Sequence, residues 1–203
     1  GLNIKQAPIA EPTAVSVHAV EIGIANLKKP LDQCNVLIIG GGAIGLLCAL
    51  ILEKEKKCKD ISLSEPNTKR LNVCKNNLNS NCINPLNKKI DQNSYDIVFD
   101  TVGLELTRQS AIKYVKPGGL IVHIGLTQPS GSFDFRKATL QEITFIGTYC
   151  YTNKDFEKTL KLLSDGNLGD LNWIEYRDLS KGATAFEEIH NGTCSAPKII
   201  LIP

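Results

Sequence analysis

Gly40-Gly41-Gly42-Ala43-Ile44-Gly45 has the spacing G-x-G-x-x-G, with the apolar residues 36–39 before it and an apolar, helix-favouring run after it. Each motif glycine has its own physical use. Gly40 permits a tight turn, Gly42 lets a pyrophosphate approach the backbone, and Gly45 lets a helix pack close to a strand. A helix opening there presents unpaired N–H groups and the positive end of its dipole to phosphate oxygens. Glu65 stands 20 residues after Gly45, at the end of the next apolar run. A carboxylate there accepts hydrogen bonds from both hydroxyls of an adenosine ribose and repels a 2′-phosphate, so the pattern predicts NAD(H) in preference to NADP(H). Arg70 is the opposing signal, because an arginine just beyond that acid can hold the phosphate. A glycine-rich turn with no ligand is the plain alternative; the agreement of glycines, strand, helix and acid argues against it. Asp100-Thr101-Val102-Gly103 and Ile124-Gly125-Leu126 each close an apolar run. Ligands of open α/β sheets lie outside the carboxyl ends of the strands, which places these segments near adenine and nicotinamide respectively.

The elements that would position these residues alternate. Strands are expected at 35–39, 61–64, 82–84, 96–100, 120–125 and 143–149, with helices at 43–56, 67–77 and 104–115 among them. Near-continuous apolar strands between helices argue for a parallel sheet covered on both faces. Right-handed crossovers then give an α/β, doubly wound Rossmann fold, a six-stranded parallel sheet with helices on both faces, plus a C-terminal helix and strand extension. Residues 1–30 read as a connecting segment with a helix at 10–25, residues 31–150 as the NAD-binding Rossmann domain, and 151–203 as a C-terminal segment. The last contains helices at 153–164 and 182–190, the second stopped by Gly192, and strands at 173–176 and 198–202. Residues 143–149 would be an outermost strand rich in β-favouring side chains, with no lysine or proline to discourage pairing, so a homodimer through this strand is expected.

Composition narrows the field. Of 203 residues 42% are hydrophobic and 22% charged, which is ordinary globular composition. A net charge of +2 is too small to imply a nucleic-acid partner. The apolar run 36–52 is short for a membrane span and is broken by clustered glycines, so strand, turn and helix explain it better and no membrane partner is expected. The seven cysteines include no C-x-x-C pair, which speaks against a structural zinc site and for free thiols in a reducing, cytoplasmic compartment. His123 reads as a packed residue of an apolar strand, and His190 as a helix C-terminal residue. No H-E-x-x-H, Ser-His-Asp arrangement or P-loop is present, so the chain shows a cofactor site without catalytic machinery of its own.

An ordered set of segments resembles the zinc-dependent medium-chain dehydrogenase/reductase superfamily, in its alcohol, sorbitol and threonine dehydrogenase branch. They are Glu11-Pro12 followed by His18-Ala19-Val20, then 36–47 (VLIIGGGAIGLL), 64–70 (SEPNTKR), 95–103 (YDIVFDTVG), 115–125 (VKPGGLIVHIG), 141–148 (QEITFIGT) and 198–203 (KIILIP). The resemblance covers nearly the whole chain. It implies an NAD-dependent alcohol or polyol dehydrogenase in which an upstream domain supplies most zinc ligands, from a cysteine and a Gly-His-Glu motif absent from this sequence. The chain therefore resembles the cofactor-binding portion of a longer enzyme, inactive alone, holding no metal itself, with residues 151–203 packing partly on the other domain. The resemblance also implies roles. Glu11 would lie near the zinc, and Val15 and Ile44 would back the nicotinamide. Gly41, Ala43 and Ile44 would face the pyrophosphate; Glu65 would take the adenosine ribose, with Arg70 beside it; Val102 would flank adenine. Ile124, Leu126, Thr148 and Cys150 would frame the carboxamide, and Lys198 would reach the pyrophosphate. Two rival readings remain, a zinc-free quinone-reductase-like member and a non-enzymatic NAD(H) sensor. Glu11-Pro12 speaks against the first, and an upstream cysteine with Gly-His-Glu would separate all three.

Overall fold

A computed structural model describes residue 2 and residues 4–203 of the chain. Helix α1 (Ala10–Ala25) leads into β1 (Val36–Ile39), α2 (Ala43–Leu50), β2 (Ile61–Ser64), α3 (Thr68–Asn77) and β3 (Asn81–Ile83). Then follow β4 (Tyr95–Asp100), α4 (Glu105–Tyr114), β5 (Val115–His123), α5 (Phe135–Leu140) and β6 (Thr144–Gly147). The chain ends with α6 (Asn153–Ser164), β7 (Ile174–Asp178), α7 (Gly182–His190) and β8 (Lys198–Ile202). The six strands β1 to β6 form one parallel sheet in the order β3-β2-β1-β4-β5-β6. The order reverses between β1 and β4, and that reversal opens a crevice at the carboxyl ends of the strands.

The strand residues sort onto two faces by their period of two. Val36, Ile38, Leu63, Ile97, Phe99 and Val122 pack into a core shared with α1, α2 and α6. Leu37, Ile39, Val98 and Ile121 face the other way, against Ala111 and Ile112 of α4 and Ala138 of α5. Burial on both faces makes β1 and the inner part of β4 apolar without interruption, and each large side chain so buried contributes ~1.5–3 kcal/mol. Gly23 brings α1 close to the sheet, since a Cβ there would lie 3.0 Å from Ile97 Cδ1 and Phe99 Cζ. Glu21 on α1 accepts hydrogen bonds from Lys56 and Lys158, which ties helix α6 and the segment that follows α2 to α1. The larger core runs without a break from Ile9 through the sheet to Leu162, Trp173 and Ile200.

Several boundaries differ from the sequence expectation. The helix expected over 43–56 is α-helical only to Leu50 and closes with a wider π turn, Ile51–Glu55. That turn keeps Ile51 and Leu52 buried while Glu53 swings out to accept the N–H groups of Asn79 and Ser80. Strand β5 begins at Val115, not 120, because Lys116-Pro117-Gly118-Gly119 forms an irregular stretch within the strand rather than a turn before it. Strand β6 spans Thr144–Gly147 rather than 143–149; Thr148 donates one more bond to His123 O, and Cys150 then turns the chain away at φ +52°. Strand β7 is Ile174–Asp178 rather than 173–176, and it pairs in parallel with β8. Gly192 ends the C-terminal helix as expected, at φ +66° with its N–H on Ile189 O.

Candidate cofactor site

Strand β1 ends at Ile39 and the chain turns at once. Gly40 takes φ +104°, and a Cβ there would lie 2.5 Å from Val102 Cγ2, so both conformation and space demand glycine. Gly45 is equally constrained, since a Cβ would meet Gly40 O at 1.9 Å; this close approach seats α2 on the end of β1. Gly42 is different. It has an ordinary φ of −70° at the N-cap of α2, and a Cβ built on it meets nothing within 4 Å. The chain packs nothing against Gly42. It leaves open space over the unpaired N–H groups of the first turn, as a pyrophosphate requires.

Beside this turn lies a cavity of about 550 Å³, walled by Gly40, Glu65, Arg70, Val102, Leu106 and Tyr114 among others. Small-molecule sites run roughly 300–1,000 Å³. Glu65 closes off the end of β2 and is only 4% exposed. Its Oε2 accepts Gly41 N–H and its Oε1 accepts Asn67 N–H, both at 2.8 Å. A carboxylate has about four acceptor positions, so acceptor capacity for two ribose hydroxyls remains. Sequence reasoning missed the first of these tasks: Glu65 fixes the glycine turn as well as facing the cavity. Arg70 Nη1 stands 3.8 Å from Glu65 Oε2, and Arg70 Nε is buried with no hydrogen-bond partner. Under the turn the Cys74 thiol donates to Gly41 O, and burial pushes that thiol up to about 12, so it stays protonated at neutral pH.

Asp100 ends β4 and is fully buried. Its Oδ1 accepts the N–H groups of Val102 (3.1 Å) and Gly103 (3.0 Å). Its Oδ2 accepts from Thr107 Oγ1 and His123 Nδ1, both at 3.2 Å. Burial alone would raise its pKa, but the bonds from His123, Gly103, Val102 and Thr107 outweigh that and hold the carboxyl below its ordinary value. An ionised carboxylate only accepts, so His123 Nδ1 carries the proton it donates. The half-buried His123 is thus a fixed partner of Asp100, its ring tilted against Phe145 at 5.5 Å between ring centroids. Thr101 Oγ1 donates to Ile39 O at 2.8 Å and joins this loop to the glycine turn. Gly103 and Gly125 meet backbone to backbone, where a Cβ on Gly103 would lie 2.0 Å from Gly125 O.

The geometry therefore gathers Gly40–Gly45, Glu65, Arg70, Thr101–Gly103 and Ile124–Leu126 at the carboxyl ends of β1, β2, β4 and β5. Val15 and Ile44 are half-buried on facing helices, where Ser16 Oγ lies 3.4 Å from Ile44 O. Thr148 follows the end of β6, and Cys150 is exposed. Glu11 is exposed in the first turn of α1 and Lys198 opens β8; neither lines the cavity. Among the described residues no group of three or more His, Cys, Asp or Glu could hold a metal ion, and no helix is long and apolar enough to cross a membrane. A larger cleft of about 690 Å³, lined by Lys54, Asn76, Trp173 and Glu175, contains none of the glycine-turn residues.

Residues 43–165 match the sequence family described as "Zinc-binding dehydrogenase". The chain belongs to the zinc-binding dehydrogenase family. Its relatives include D-xylulose reductase of Saccharomyces cerevisiae, 25% identical over 212 residues, a match covering 98% of this chain and 58% of that protein. A probable diacetyl reductase [(R)-acetoin forming] 2 of the same yeast is 30% identical over 175 residues, covering 80% of this chain and 40% of that one. Among solved structures, acetophenone reductase from Geotrichum candidum in complex with NAD superposes with a TM-score of 0.84 at 20% identity, covering 97% of this chain and 55% of that one. This zinc-binding dehydrogenase chain spans about half the length of the curated relatives it matches.

Proposed function

We propose that this chain binds NAD(H) and serves as the cofactor-binding portion of a zinc-dependent alcohol or polyol dehydrogenase. The observation that carries the reading is the contrast within one motif: Gly40 and Gly45 are walled in by the chain, whereas Gly42 faces open space at a helix N-terminus. The residues fit the dinucleotide. Gly41, Ala43 and Ile44 face the pyrophosphate, with the first-turn amides of Ala43 and Ile44 free to donate to it while Gly41 N–H stays on Glu65. Glu65 accepts the adenosine ribose hydroxyls, and Val102 flanks the adenine. Ile44, Val15, Ile124, Leu126, Thr148 and Cys150 frame the nicotinamide end. When bound, the nicotinamide supplies or takes up the hydride. The names of the relatives, a xylulose reductase and a diacetyl reductase, support a small hydroxylated or carbonyl substrate. The described residues offer no set of zinc ligands, and Glu11 would lie near the metal without being part of such a set. The free cysteines suit a reducing, cytoplasmic setting.

Cofactor choice tests this directly. Calorimetric titration should show NADH binding about tenfold or more tighter than NADPH, since losing a charge-assisted hydrogen bond costs ~1.5–3 kcal/mol and the 2′-phosphate adds repulsion. Glu65→Gln should narrow the gap. Tighter binding of NADPH would overturn the assignment and hand the site to Arg70.

The same reading includes a homodimer through β6, which pairs with β5 on one side only. Phe145 on this edge is 44% exposed and its ring meets Phe133 at 5.3 Å, continuing an apolar surface into the loop before α5. A two-fold axis at this edge would run the two copies of β6 antiparallel and join two six-stranded sheets. Sedimentation at high micromolar concentration should give a dimer, and Phe145→Lys, a charged edge residue, should give a monomer. A wild-type chain that stays monomeric there would rule this assembly out.

A further inference from the structure

We infer that Arg108 is a positioning residue for the nicotinamide half of the site, an assignment that rests on the dinucleotide reading above. Arg108 lies in the first turns of α4, whose other residues Leu106 and Tyr114 wall the adenosine cavity. Its guanidinium reaches the opposite way. Nη1 donates to Gly103 O at 2.9 Å and to Gln128 O at 3.2 Å, and Nη2 donates to Ser130 O. One planar cation thus collects carbonyl oxygens from the loop after β4 and from two points of the loop after β5. A planar fork presents these donors from two nitrogens in fixed directions, whereas a lysine ammonium would have to reach all three oxygens from one atom.

The surroundings are built for the clamp. Gly131 takes φ +146°, and a Cβ there would lie 2.7 Å from Arg108 Nη2 and 2.8 Å from Glu105 Cβ, so glycine makes room for the guanidinium. Glu105 N–H donates to Gln128 Oε1 at 2.7 Å, and Ser132 Oγ donates to Glu105 Oε1. Gln128 N–H in turn donates to Gly103 O at 3.0 Å. Residues 126–131 are otherwise exposed and contain no helix or strand, so these bonds give the segment its course. The segment begins at Gly125-Leu126, on the end of β5. The adenosine cavity occupies the ends of β1, β2 and β4, which leaves the β5 side for the nicotinamide. Arg108 therefore holds the wall of one half of the site from a helix that lines the other half.

The test separates the two halves. Calorimetric titration of the whole chain with NADH and with ADP-ribose, which lacks the nicotinamide, should give similar parent affinities for the shared portion plus a gain for NADH. In Arg108→Gln and Gly131→Ala, ADP-ribose binding should stay within about twofold of the parent while NADH binding falls about tenfold, the scale expected for losing charge-assisted bonds that order a loop. Arg108→Lys keeps the aliphatic stem and the charge, folds as the parent does, and should lose most of the NADH gain as well. Equal loss of both ligands, or unchanged NADH binding in all three variants, would overturn the inference. A parent chain that binds neither ligand would instead overturn the dinucleotide reading on which it rests.

Discussion

Gly42→Asp should abolish NADH binding in a chain that folds as stably as the parent, and Gly45→Ala should destabilise the chain outright. Gly42 has an extended conformation that any residue can adopt and free space around it, so aspartate fits without strain. At the N-cap of α2 its carboxylate can accept the orphan N–H groups and improve the helix by ~0.5–1 kcal/mol. The same carboxylate would occupy the place proposed for the pyrophosphate. Two like charges about 4 Å apart near a protein surface repel by ~4 kcal/mol at an effective dielectric of about 20, enough for a loss of several hundredfold or more. Gly45→Ala offends against the chain itself, with a methyl group 1.9 Å from Gly40 O and 2.9 Å from Thr101 Oγ1. Overpacking of this kind costs ~3 kcal/mol or more, a large share of a typical stability of ~5–15 kcal/mol. Urea unfolding and NADH titration on the two variants check both halves. Equal loss of stability in both variants would mean that Gly42 serves only the turn.

The second large effect is expected at Asp100. Asp100→Ala would leave the buried N–H groups of Val102 and Gly103, and the ring of His123, without their acceptor. Removing one member of a buried charged network costs ~3–5 kcal/mol. The pH dependence has a definite sign. The folded pKa lies below the ordinary 3.8, so the stabilisation is fully present above that value and is lost as pH falls through it toward the folded pKa. Urea midpoints measured from pH 7 to pH 2 should therefore drop steeply below about pH 4 in the parent and less steeply in Asp100→Ala. Identical acid limbs would show that Asp100 titrates as it does in the unfolded chain. The partly buried carboxylates of Asp96 and Asp155 are also held below their ordinary value and contribute to the acid limb of both proteins.

Why some of this was legible in the sequence and some was not follows from where each signal resides. The strands announce themselves because both faces of the sheet are covered, so Val36–Ile39 and Ile97–Phe99 are apolar without interruption. The glycine motif is local and compact. Helix α5 gives no such signal: none of its residues is fully buried, Phe135 and Leu140 are 73% and 71% exposed, and only the small Ala138 packs against the core, so its apolar residues trace no clear core face. The early start of β5 was hidden by Pro117-Gly118-Gly119, which has turn composition but lies within a strand. The contacts that set the site are invisible for another reason. Cys74 under Gly41, Arg108 on Ser130 and His123 on Asp100 join segments 22 to 33 residues apart, and no period or motif encodes such pairs.

The most direct test of the account is a map of the NADH site by two-dimensional amide NMR on the labelled chain. Saturating NADH should move the amide signals of Gly41, Gly42, Ala43 and Ile44 most, together with those of Glu65, Val102, Gly125 and Leu126. Signals that move instead around Lys54, Asn76 and Trp173, in the larger cleft, or no movement at millimolar NADH, would contradict it.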